Sequence, residues 1–308
     1  MSNPELVKEA ANLFLLAFGD QPGARLAHAK GIVCEGEFTA TPAAAELSRA
    51  AHFKGTPVGV VVRFSNGTGL PLIPDGDPNG NPKGIAIRFQ IPGGGSTDIL
   101  ANGLNGFPAG TPEDFVAFLG GAIKSPPGTP SPTPLEKFLS THPLTVAYLS
   151  QPNLCPTSFA TQKYFANDAF IFVNAQGKKQ ATRYQFIPLA GEHHLEPAAA
   201  AAQPPNFLMD DLKARLALAP IEFKLVVQLA EPTDPTSDAT KVWPDSRKLV
   251  ELGLIKIKRV DPNSAETEKS LFMDPVHLTD GIELSDDPLP PFRSQVYSIS
   301  IEHRTRKR

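Results

Sequence analysis

Hydrophobic and polar positions alternate most cleanly over residues 57–65 (PVGVVVRFS). Val58, Val60, Val62 and Phe64 fall on one side, and Val61, Arg63 and Ser65 on the other. A period of two in a β-branched run predicts a strand. Residues 84–91, 221–230 and 253–260 read the same way, and 169–174 with 180–188 predict a hairpin around Asn174–Gly177. Between the first two strands, DGDPNGNPKG is dense in Gly, Pro, Asn and Asp and predicts a turn-rich loop. Helical patterning predicts helices over 4–18, 112–122, 134–149 and 207–216, and from about 289 onward. SPPGTPSPTP (125–134) is too proline-rich for a helix interior and predicts an exposed connection, and EPAAAAAQPP (196–205) is low-complexity. No long-period repeat is visible. Strands dominate the middle and a helix closes the chain, which predicts an α+β fold: a barrel or strongly curled antiparallel sheet with helices packed outside.

Composition narrows the function classes. The 308 residues are 41% hydrophobic and carry a net charge of −3, with no like-charge block except the basic end Arg304–Arg308. A nucleic-acid-binding surface is therefore not expected. Cys34 and Cys155 are far apart and form no CxxC pair, so neither a disulfide framework nor a cysteine metal site is expected. The apolar run ANLFLLAF (11–18) is too short to span a membrane, and Glu5 and Glu9 sit where a secretory signal would be basic. The expected location is cytoplasmic, without a membrane partner. His193–His194 invites a metal reading, but adjacent side chains diverge, and a solvated loop is expected.

Candidate chemistry concentrates near the C-terminus. Ser285, Asp286 and Asp287 provide helix-start residues, and Pro290 and Pro291 suit a first turn. A helix from about 289 places Arg293 and Tyr297 four residues apart on one face, with Arg304 seven residues further on. A guanidinium one turn from a phenol favours the anionic phenolate, a hard ligand suited to ferric iron. Taken alone, such a pair is more often a surface cation–π or packing contact.

The segment GIELSDDPLPPFRSQVYSISIEHR (281–304) resembles the proximal helix of the haem catalases. That helix carries an R-x-x-x-Y motif preceded by G-I-E-x-S; Gly281, Ile282, Glu283, Ser285, Arg293, Tyr297, His303 and Arg304 fall in register. KVWP (241–244) and FMDPVHLTDGIE (272–283) also match in order. RLAHAKG (25–31) is similar to the stretch around that family's distal histidine, VVRFSNG (61–67) to its serine-bearing strand, and DPNGNPKGIAIRF (77–89) to the loop and strand that follow. DILANG (98–103) is similar to the segment holding its distal asparagine. The resemblance implies a catalase-like antiparallel β-barrel with surrounding helices, residues 1–308 forming a single haem-binding domain. It implies haem b as cofactor, Tyr297 as iron ligand, and His28, Asn102 and Ser65 as the catalytic group. Arg25, Arg63 and Arg304 match its propionate-binding arginines, Arg293 the residue that tunes the tyrosine, and Phe107 and Phe115, with Phe118, aromatic residues near the haem.

Chemically, a neutral imidazole can move the proton of a bound peroxide, a neutral amide can hold the peroxide without adding charge, and arginine forks suit carboxylates. Without the resemblance, His28 reads as a structural histidine, Asn102 as a turn residue and the phenylalanines as ordinary core.

Departures from the family refine the expectation. The chain is much shorter than ordinary catalases, Ala27 stands where they usually have valine, and Gly103 follows Asn102 in place of a second asparagine. The resemblance is therefore to the minimal catalase-related peroxidases. It implies reduction of hydrogen peroxide (and organic hydroperoxides) with small organic electron donors, weak catalase activity and a homodimer. Two alternatives are a fatty-acid hydroperoxide isomerase of the allene oxide synthase type, which carries a threonine at the position of Ala27, and a non-enzymatic haem-binding barrel, which would need neither His28 nor Asn102.

Overall fold

The protein is described by a computed structural model covering residues 3–306. Lys307 and Arg308 of the basic end lie outside the described residues. The strands are β1 (Gly31–Ala40), β2 (Val58–Ser65), β3 (Gly84–Gln90), β4 (Ser96–Asn102), β5 (Cys155–Pro156), β6 (Tyr164–Phe165), β7 (Phe170–Val173), β8 (Lys179–Pro188), β9 (His194–Leu195), β10 (Ile221–Leu229), β11 (Leu249–Val260) and β12 (Ile282–Leu284). The helices are α1 (Pro4–Phe18), α2 (Pro42–Leu47), α3 (Pro112–Ile123), α4 (Pro134–Leu139), α5 (Pro143–Leu149), α6 (Pro197–Ala201), α7 (Phe207–Leu218), α8 (Ser264–Ser270) and α9 (Leu289–Thr305).

Strands β10-β11-β1-β2-β3-β4-β6-β8 pair side by side, and β8 pairs back to β10, closing an eight-stranded antiparallel barrel. Closure leaves no open edge on the ring. β7 and β12 extend the sheet outward from β8, and β5 pairs with β9 apart from it.

The alternation in β2 explains how one strand serves core and site together. Val58, Val60, Val62 and Phe64 are buried in the barrel core with Phe38, Ile87, Phe89, Phe172, Phe186 and Phe223. Burying each such side chain contributes about 1.5–3 kcal/mol. Arg63 and Ser65 leave the other face of the same strand. A second, smaller cluster joins Val7 and Ala10 of α1, Val116 of α3, and Phe292 and Val296 of α9, so these three helices form a unit outside the barrel.

Several expectations change in detail. The helix expected over 134–149 is two helices, α4 and α5, because Pro143 cannot continue the first and instead opens the second. The low-complexity stretch 196–205 forms the short α6. His194 lies in the two-residue β9, though both it and His193 are exposed. Strand β11 begins at Leu249, earlier than expected. Cys34 and Cys155 are both free and buried. Among the described residues, no helix is long and apolar enough to cross a membrane, and no group of three or more His, Cys, Asp or Glu is placed to hold a metal ion.

Candidate active site

Strand register brings the first half of the site together. Along one rim of the barrel, Ser65 of β2 sits opposite Gly84 of β3, Gly84 opposite Asn102 of β4, and Asn102 opposite Phe165 of β6. Gly84 has to be glycine, since a Cβ there would come 2.9 Å from Ser65 Oγ and 3.0 Å from His28 Nδ1. The imidazole of His28 therefore lies over a bare backbone position, with Ser65 beside it. His28 Nδ1 and Ser65 Oγ are 3.1 Å apart. The Asn102 Oδ1 accepts from the Leu104 N–H at 2.9 Å, so its remaining group for the cavity is the NH2 donor.

His28 itself is held in an unusual conformation. Its φ of 54° makes it the one non-glycine residue in the left-handed region among those described. Such backbone is costly and persists only where surrounding contacts enforce it. One of those contacts is a 2.7 Å hydrogen bond from Arg63 Nη2 to the His28 carbonyl. Burial, joined by the positive charges of Arg63 and Arg293, pushes His28 down to about 4. The ring is thus neutral at neutral pH and available as a base.

Helix α9 supplies the second half. Arg293 Nε and Nη2 donate to the Tyr297 phenol oxygen at 3.3 and 3.2 Å, while Nη1 donates to Asp168 Oδ2 at 2.6 Å. Burial works against the Arg293 charge, but Tyr297 and Asp168 outweigh it and hold the guanidinium above its ordinary value. Asp287 lies in the same network. Burial and the neighbouring Asp168 charge push it well above the ordinary carboxylate range, its Oδ1 accepts from Leu289 N–H, and its buried Oδ2 has no partner among the described residues.

Three arginines form the third part. Arg25 and Arg63 both donate to the Glu268 carboxylate, Arg63 Nε at 2.8 and 2.9 Å. Arg25 also reaches the Glu268 and Leu271 carbonyls at 3.0 and 2.7 Å, and Arg304 the Lys269 and Leu271 carbonyls at 3.1 and 2.5 Å. Burial and the Arg63 charge lower Arg25 to about 8, and burial with Arg63 lowers Arg304 to about 10. Among the described residues, three guanidiniums against one carboxylate leave two positive charges unmatched, a strong demand for anions.

All ten residues singled out in the sequence line one cavity of about 460 Å3: Arg25, His28, Arg63, Ser65, Asn102, Phe107, Phe115, Arg293, Tyr297 and Arg304. The rings of Phe107 and Phe115 stack with centroids 5.5 Å apart, and the Arg293 guanidinium lies 5.8 Å from the Phe107 ring. Phe118 also lines the cavity. Sequence reasoning missed Asp168 and Glu268. Their arginine partners lie 125 and more than 200 residues away along the chain, and no local pattern marks them.

A family model described as Catalase matches residues 21–307, and the chain belongs to that family. It is 39% identical over 290 residues to a catalase-related peroxidase of Mycolicibacterium paratuberculosis, covering 93% of this chain and 91% of that protein. It is 34% identical over 294 residues to a catalase-related peroxidase of Synechococcus elongatus, covering 94% and 86%. A catalase of Pseudomonas syringae pv. syringae is 29% identical, but the match covers 56% of its length against 90% of this chain. Among solved structures, a bacterial catalase superposes with a TM-score of 0.80 at 22% identity, over 99% of this chain and 61% of its own. A fungal catalase does so with a TM-score of 0.80 at 21% identity, over 93% and 60%. At those identities the superpositions establish the catalase fold.

Proposed function

We propose that the chain is a haem-dependent peroxidase that reduces hydrogen peroxide at the expense of small organic donors, with weak catalase activity. The observation that carries this reading is a single cavity that unites an arginine-backed tyrosine, a neutral histidine beside a serine, an amide donor and a cationic arginine cluster. The chain works as one haem-binding unit, in keeping with a family match that spans nearly all of it.

The cavity suits haem b in three ways. Phe107, Phe115 and Val296 line it with apolar surface. The two unmatched charges of the Arg25, Arg63 and Arg304 cluster suit a ligand ending in two carboxylates. The Tyr297 oxygen lines the cavity and accepts from two N–H groups of Arg293 one turn earlier on the same helix, the setting of an anionic oxygen ligand for ferric haem iron.

Bound haem supplies the ferric iron at which peroxide is reduced. The chain's own residues move the proton. With Nδ1 turned to Ser65, His28 offers Nε2 to the cavity, where it takes a proton from one peroxide oxygen and delivers it to the other. The Asn102 NH2 group holds the peroxide by donation without adding charge. The relatives matched over most of their length carry the name catalase-related peroxidase, which favours electron delivery from an organic donor over dismutation. Neither alternative gains support: Ala27 has no hydroxyl to restrain His28 as an isomerase would require, and mere binding needs neither His28 nor Asn102.

The test compares oxygen evolution with peroxide-dependent oxidation of a phenolic or aromatic-amine dye by the purified protein. Dye oxidation is expected to dominate. Rapid oxygen release with negligible dye oxidation would make the protein a catalase instead. Inertness toward hydrogen peroxide with turnover of a lipid hydroperoxide would make it an isomerase.

A further inference from the structure

Among the described residues, Glu268 is the one carboxylate bonded to the arginine cluster, and it reaches it from behind. It stands on α8, a seven-residue polar helix, with its side chain 16% exposed, and it does not line the cavity that Arg25, Arg63 and Arg304 line. Both of its oxygens accept from Arg63 Nε, and Oε2 also accepts from Arg25 Nη1. The remaining donors of Arg25 and all those bonded on Arg304 are steadied by backbone carbonyls at the C-terminal end of the same helix and just beyond it. A helix C-terminus carries partial negative charge, so α8 presents both a full and a partial anion to the backs of the guanidiniums.

The strand beneath is cut away to admit this pair. A Cβ on Gly31 of β1 would overlap the Arg63 guanidinium and come 2.8 Å from Glu268 Oε1. Arg63 then passes the constraint on, because its Nη2 holds the carbonyl of His28. The charge count follows from the same geometry: with Glu268 in place, the cluster keeps two positive charges for the cavity, and without it three.

We propose that Glu268 is a positioning residue for the anionic end of the cofactor. It fixes Arg25 and Arg63 from behind so that the cavity presents two oriented positive charges to a ligand bearing two carboxylates. The proposal rests on the haem reading of the site. Its specific consequence is that Glu268 acts on the carboxylates of the ligand and leaves the rest of the porphyrin indifferent.

The experiment follows transfer of haem from the loaded full-length protein to excess apomyoglobin, for the wild type, Glu268→Gln and Glu268→Asp. Each is loaded either with haem or with haem dimethyl ester, whose carboxylates are blocked. In Glu268→Gln, loss of haem should accelerate by about tenfold or more, the scale of a lost charge-assisted interaction. Loss of the dimethyl ester should stay within about twofold, a margin well under one such interaction. Glu268→Asp should restore part of the difference. Equal acceleration with both ligands would mean that Glu268 merely supports the fold, and slower haem loss in Glu268→Gln would mean that it competes with the ligand. Either result overturns the proposal while leaving the haem site intact. A wild type that takes up neither porphyrin would overturn the haem reading itself, and this proposal with it.

Discussion

Arg293 donates to the Tyr297 phenol oxygen from two nitrogens at once, one turn earlier on the same helix, while its third arm is tied to Asp168. The spacing of four residues makes the first contact a property of the helix, and the second depends on a loop 125 residues away. Replacing Arg293 with Leu removes both donors from the phenol. Haem content of the purified Arg293→Leu protein, read as a pyridine haemochrome, should fall several-fold, since two charge-assisted bonds are lost. Native haem content together with a native midpoint potential would contradict the role given to Arg293.

Asp168 makes a separate prediction about stability. It is 3% exposed and pairs with Arg293 at 2.6 Å. Removing one partner of a buried ion pair strands the other, which costs about 3–5 kcal/mol. Urea denaturation of Asp168→Ala should reveal a loss of that size, and a loss below about 1 kcal/mol would show that the pair is solvated like a surface bridge.

Much of this arrangement was legible in the sequence, for physical reasons that differ by element. β2 announces itself because Val58, Val60, Val62 and Phe64 alternate strictly with their neighbours. β1 does not, because Gly31 and Gly36 interrupt GIVCEGEFTA, and the structure places a bulge at Glu35–Gly36. α8 has the sequence SAETEKS, with no apolar stripe to reveal it, so Glu268 could not be foreseen. The break between α4 and α5 was readable in Pro143 but was outweighed by the apolar residues on both sides. His28, Asn102 and Tyr297 each resemble ordinary residues in isolation. Their common order along the chain set them apart, and the strand register of Ser65, Gly84 and Asn102 explains how three separate segments meet.

His28 is neutral because it is buried among positive charges, and it is the proton carrier of the proposed reaction. His28→Ala should slow peroxide consumption roughly a hundredfold or more, within or above the usual range for general acid–base catalysis. Stopped-flow measurement of peroxide decay checks this; a change of less than about threefold, far short of that range, would remove His28 from the mechanism.

A second buried histidine adds to the response of the fold to acid. His52 is 1% exposed among Phe38, Phe53 and Phe89, its Nδ1 has no partner among the described residues, and burial lowers it from 6.5 to about 4. The unfolded chain binds this proton first as pH falls. The stability that neutral His52 contributes is therefore complete above pH 6.5, and it is lost progressively between pH 6.5 and 4. Between neutral pH and pH 4.5 the wild type should lose roughly 2–3 kcal/mol more than His52→Leu in denaturant unfolding. Equal losses in the two proteins would place the acid sensitivity elsewhere.

The central claim is that Tyr297 binds ferric haem in this cavity, and the absorption spectrum of purified wild type beside Tyr297→Phe tests it most directly. The wild type should take up haem and display the charge-transfer features of a tyrosinate-ligated ferric iron, while Tyr297→Phe, which lacks the anionic oxygen, should largely lose its haem. Full haem loading of Tyr297→Phe with an unchanged spectrum would contradict the assignment.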